Sequence, residues 1–127
     1  MLRDFKKLGT VTMADNGVLT DAIHIPASQA IAGIMVPTGW VAADIGFHFA
    51  HDGDTTFVPV LDPARAAATN MARTHAAVDS IGLSPECIRE IGCGFDVKFS
   101  SVNTASNADV SQTGGPLTIT VFVGKAF

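Results

Sequence analysis

The sequence predicts an all-β sandwich of about seven or eight short antiparallel strands with one short helical turn, and three observations lead there. Apolar residues recur at every second position in three runs: Ile45, Phe47 and Phe49; Phe95, Val97 and Phe99; Leu117, Ile119, Val121 and Val123. That spacing lines one face of a strand, whereas a helix stripe needs steps of three and four. The runs are separated by turn clusters such as Asp15-Asn16-Gly17, Pro37-Thr38-Gly39, Asp52-Gly53 and Gly114-Gly115-Pro116, residue types that adopt or fix the dihedrals of tight turns. Finally, a two-residue loop at Asp52-Gly53 would pair residue 49 with 56, 47 with 58 and 45 with 60. That register sets Phe49, Phe47 and Ile45 opposite Thr56, Val58 and Val60, so the apolar residues share a face. A sheet with one apolar face needs a second layer, which the rest of the chain must supply.

Taken in order, residues 1–9 read as an arm, with Phe5 and Leu8 as apolar anchors among Arg3, Lys6 and Lys7, and residues 10–127 as the sandwich domain. A first strand is expected at 10–14 (TVTMA) and a second at 18–25, where Ile23 and Ile25 flank His24 and Pro26 closes the run. Residues 29–36 (QAIAGIMV) are apolar almost throughout, as in a strand covered on both faces, and Gly33 marks a bulge or a close approach. Trp40, the single tryptophan, opens the hairpin of residues 41–61 and reads as a plug of the core. After Asp62-Pro63 the alanine-rich run 64–78 has helical propensity but little apolar area on any face. We expect a long connection there, with one short edge strand. Ser84 and Pro85 occupy the cap and first position of a helical turn reaching about Ile91. A half-buried strand at 95–100, a polar loop at 103–115 and a closing strand at 117–123 complete the chain.

Composition narrows the function. With 47% hydrophobic and 16% charged residues over 127 positions, the chain can bury a core without metal or disulfide staples. The net charge of −4 speaks against nucleic-acid binding. The start MLRDFKKLG lacks the apolar stretch of a signal peptide, and no segment approaches the ~18 apolar residues of a membrane span. Neither nucleic acid nor membrane is expected as a partner. Cys87 and Cys93 are expected as free thiols, because a leaderless chain matures in a reducing compartment.

The densest set of ligand-capable groups is His48, His51, Asp52 and Asp54. A solvated turn explains them, since Asp-Gly turns need Asp for backbone geometry and calcium wants six or more oxygens. His24 and His75 lie far in sequence from either cysteine, and neither a nucleophile elbow nor a phosphate loop occurs. No catalytic, cofactor-binding or metal-ligating set is expected, and the protein reads as non-enzymatic. The candidate contact residues, from their positions in the chain, are Phe5, Leu8, Trp40 and Phe127.

The order of motifs carries a resemblance. AGIMVPTGWVAADIGFHFAHDGDTTFVPV, then FDVKFSS, a polar loop holding Gln112 and a closing LTITV together resemble small bacteriophage virion structural proteins over residues 28–123. The chain departs from that pattern at Ala50, where a serine is usual, and at Ser101, where a glycine is usual. The resemblance implies a jelly-roll-like sandwich of the capsid decoration or cement type, located on the virion and assembled in the host cytoplasm. It implies contact with the major capsid protein or another virion protein and assembly as a homo-oligomer, with a trimer favoured. A neck, tail or baseplate component is the near alternative. From a different class, a sandwich can present loops to glycans, although eight Phe, one Trp and no Tyr offer few aromatics with a polar handle.

Overall fold

The computed structural model describes residues 3–50, 55–59, 72–73, 94–103, 106 and 108–125. Among these lie nine strands and no helix: β1 (Arg3–Met13), β2 (Ile23–His24), β3 (Gln29–Met35), β4 (Asp44–Ala50), β5 (Val58–Pro59), β6 (Ala72–Arg73), β7 (Asp96–Asn103), β8 (Ala108–Asp109) and β9 (Leu117–Lys125). They form two antiparallel sheets. One has the order β1-β9-β3; the other runs β2-β7-β4-β5, with β6 also on β4 and β8 on β7.

The core fills the space between the sheets. Val11, Ile31, Ile34, Ile119, Val121 and Val123 come from the three-stranded sheet, and Ile45, Phe47, Val97 and Phe99 from the other, with Ile25 and Val36 beside the strand ends. Alternation produced this arrangement: in β9 the odd-numbered residues 117–123 are buried while Thr118 is exposed and Thr120 and Phe122 are half-buried. β9 lies between two neighbours, so its backbone is paired on both sides and its apolar face sits at the centre of the core. β3 is buried nearly throughout, and its register slips by one residue between Ile31 and Gly33, the bulge that Gly33 announces in the sequence.

Several expectations change in detail. The first strand is longer than 10–14: residues 3–9 are the N-terminal part of β1, laddered to β9 from Arg3↔Lys125 onward. The second strand contracts to Ile23–His24, preceded by an isolated bridge between Leu19 and Ser100. The hairpin register is offset by two residues, with Phe49 opposite Val58 and His48 opposite Pro59. Pro59 has no N–H to donate, and only these two positions of β5 pair with β4. The long partner of β4 is instead β7, in register over seven residues from Asp44↔Val102 to Ala50↔Asp96. A short strand does occur in the 64–80 segment, Ala72–Arg73 paired with β4. The Asp52-Gly53 turn, Cys87, Cys93, the helical turn expected at 84–91 and Phe127 lie outside the described residues.

The chain crosses between layers. β1, β3 and β9 belong to one sheet and β2 and β4 to the other, so β1 does not pair with β2, the next strand in sequence. The Asp15-Asn16-Gly17 cluster still turns the chain, with Asn16 at φ 61° and Gly17 N–H donating to Ala14 O at 2.8 Å. Beyond that turn the chain enters the opposite layer at β2.

Candidate functional site

The structure separates the candidate contact residues. Phe5 stands on β1 with 66% of its surface exposed, the most exposed large hydrophobic residue among those described. Lys6 and Lys7 beside it are exposed as well. Leu8 turns inward and packs against the core. Trp40 also packs against the core, its indole N–H donating to Ala43 O at 3.4 Å, as expected of a plug. It lies near the other end of the β1–β9 ladder, in the corner after Pro37 where Gly39 approaches Leu117. Phe5 and Trp40 therefore do not share a surface.

Topology brings Lys125 to the Phe5 end, which sequence reading missed. Lys125 lies opposite Arg3, and its ammonium sits 3.5 Å from the Asp4 carboxylate. The signal in the sequence was the Arg3, Lys6, Lys7 trio; nothing local connects it to a residue more than a hundred positions away.

The outward face of the six-stranded sheet carries a polar row. His24 Nδ1 and Asp96 Oδ1 are 2.7 Å apart across β2 and β7, an exposed pair of the kind that contributes about 1 kcal/mol at most. The Lys98 ammonium lies 4.6 Å from the centre of the Phe57 ring, a cation–π contact. Opposite Lys98, His48 is half-buried on the face away from Phe47 and Phe49. Next along, Gly46 faces Ser100, and a Cβ at Gly46 would collide with the Ser100 hydroxyl. The absent side chain makes room for that hydroxyl, which is buried and finds no hydrogen-bond partner among the described residues.

Burial pushes the His48 imidazole below its ordinary value of 6.5; Asp109 opposes the shift and Lys98 adds to it. A histidine held neutral in the fold stabilises fully above 6.5, its unfolded value. As pH falls through 6.5 toward the folded-state value, the unfolded chain takes up a proton that the folded chain does not, and stability drops. His48→Gln should flatten this acid limb. Urea midpoints of the two proteins, compared between about pH 5 and 7, should fall less steeply for the variant; parallel curves would assign the limb to other groups.

The buried polar centre of the sandwich is Gln112. It is fully buried, and its side chain clasps the backbone of Val41, accepting from N–H at 2.7 Å and donating to C=O at 2.9 Å. The second amide hydrogen goes to Ser101 Oγ at 2.8 Å. Its own backbone completes the join: Gln112 N–H donates to Gly17 O at 2.9 Å, and its carbonyl accepts from Asn16 N–H at 2.8 Å. One residue thus ties the loop before β4, strand β7 and the turn after β1. The side-chain amide reproduces the donor and acceptor of a strand neighbour, so the arrangement is architectural.

Among the described residues no group of three or more His, Cys, Asp or Glu side chains is placed to hold a metal ion. His48 lies mid-sheet, while His51, Asp52 and Asp54 fall outside the described residues. A shallow, open depression on the outward face of the three-stranded sheet is lined by Met35, Val36, Pro37, Thr118 and Thr120; it offers threonine hydroxyls and no charged side chain. No described helix is long and apolar enough to cross a membrane.

These features define the class: an antiparallel β-sandwich whose buried polar network is structural and whose most exposed large hydrophobic side chain, among the described residues, stands on a basic strand. No family model, curated protein or solved structure matches the chain.

Proposed function

We propose that this protein is a non-enzymatic bacteriophage virion structural protein of the capsid decoration or cement type, built as a jelly-roll-like sandwich and acting as a homo-oligomer. The observation that carries the reading is Phe5, 66% exposed on a strand laddered along β9. An exposed aromatic has only two side-chain torsions to fix on docking and brings a large apolar area, the property of an interface anchor. The order of motifs that resembles virion proteins supports the assignment to a virus particle. The mechanism is cohesion: a packed sandwich spans a joint between capsid subunits and adds buried area across it.

Mixing the purified protein with empty capsids and sedimenting them tests this. Co-sedimentation at a stoichiometry matching capsid symmetry positions, abolished by Phe5→Ser, is the expected result. Protein that stays in the supernatant removes the capsid role and moves the neck, tail or baseplate alternative ahead; binding to a glycan array would replace it with a sugar-recognition role.

A further inference from the structure

The charges of the β1–β9 ladder and of the turn beyond it are polarised, while on the other sheet Asp96, at the far end of β7 from Val102, is paired with His24 and Lys98 lies over Phe57. Arg3, Lys6, Lys7 and Lys125 make up half of the eight Lys and Arg residues of a chain with twelve Asp and Glu, and the ladder gathers all four at one end. Asp4 is the one carboxylate on the β1 part of that end, and it pairs with Lys125. Among the described residues the opposite end is acidic. Asp15 is in the turn after β1, where it accepts from Gly115 N–H, and Asp21 accepts from Thr12 N–H. Gln112 joins that turn to β7, and the same end of β7 holds Asp44 and Asp109 on its two sides, both opposite Val102. Among the described residues, Arg73, opposite Ile45, is the basic residue whose backbone lies in this region. Asp15, Asp21 and Asp109 are exposed.

The 11 residues of β1 set the poles roughly 30 Å apart. That is several times the Debye length of about 8 Å at physiological salt. Within one molecule the poles do not neutralise each other; between two molecules they can.

We propose that the basic, Phe5-bearing end of this chain docks on the acidic end of a second copy, in a head-to-tail contact. A contact through the same end of both copies would set Lys6, Lys7 and Lys125 against themselves, so charge favours the pairing of unlike ends. The contact is made by side chains and not by adding a strand. Although β1 is an edge strand, its outer half carries two lysines and register shifts between Arg3 and Lys6 and between Lys7 and Gly9, the features that block edge pairing. Phe5 then supplies the apolar anchor and the lysines the rim.

This inference deepens the homo-oligomer reading above by naming the contact between copies. Its test uses the protein alone, so its failure leaves the capsid experiment standing. Sedimentation velocity of the full chain in about 0.01 M salt, where the Debye length is about 30 Å, should show association that is lost in about 1 M salt, where it is about 3 Å. Lys6→Glu/Lys7→Glu and Asp15→Lys/Asp109→Lys should each weaken association roughly tenfold or more. All four substitutions are at exposed side chains, and circular dichroism checks that each variant folds. An equimolar mixture of the two variants should associate again, because every acidic end then meets a basic one. A wild-type monomer at low salt, or variants that associate as the wild type does, would overturn the proposal.

Discussion

Replacing Phe47 with alanine should cost about 3–5 kcal/mol of folding stability. Phe47 is fully buried at the middle of β4, directly opposite Phe99 of β7, and the two rings meet edge to face with centroids 5.8 Å apart. Truncation removes the ring from the layer between the sheets and leaves a cavity that paired strands on both sides of β4 hold open. Urea unfolding of Phe47→Ala, Phe99→Ala and the double variant measures it. The single losses should exceed the double loss when summed, with a coupling of about 0.5–1.5 kcal/mol from the ring pair. A loss well under 1 kcal/mol for Phe47→Ala would mean that β4 presents its other face to the core.

Gln112→Leu should be nearly as damaging, at about 2–4 kcal/mol, although it puts a hydrophobic residue in a fully buried position. The substitution keeps most of the volume but strips partners from the Val41 amide and carbonyl and from the Ser101 hydroxyl, and buried polar groups without partners carry the desolvation cost. Gln112→Glu separates the bonds: a carboxylate still accepts from Val41 N–H but sets oxygen against oxygen at Val41 C=O. Both variants should lower the urea midpoint, and hydrogen exchange at the Val41 amide should quicken in Gln112→Leu more than at core amides of β9. Unchanged exchange at Val41 would show that Gln112 does not hold that loop.

Much of this architecture was legible in the sequence because alternation is a local property. Side chains leave a strand on alternate sides whatever the strand pairs with, so the inward faces of β4, β7 and β9 follow from the spacing of Phe47, Phe99 and Val121 with their neighbours. The same physics hid the register. A pairing offset by two residues keeps every side chain on its face, so Phe49 opposite Thr56 and Phe49 opposite Val58 satisfy the sequence pattern equally. Gln112 was visible as one polar residue in a polar loop, and nothing nearby marked it as the partner of Val41, 71 positions away.

The sequence by itself determined the class of fold, the inward faces of β4, β7 and β9, the turns at 15–17, 37–39 and 114–116 and the basic character of residues 3–7. Only the tertiary structure decided which strands pair, that β1 and β2 part into different sheets, and that Lys125 joins Arg3 at one pole while Asp15 and Asp109 mark the other. The physical reason is range: dihedral preference and alternation act over a few residues, whereas sheet partnership and the placement of charge depend on which apolar faces can be buried together across the whole chain.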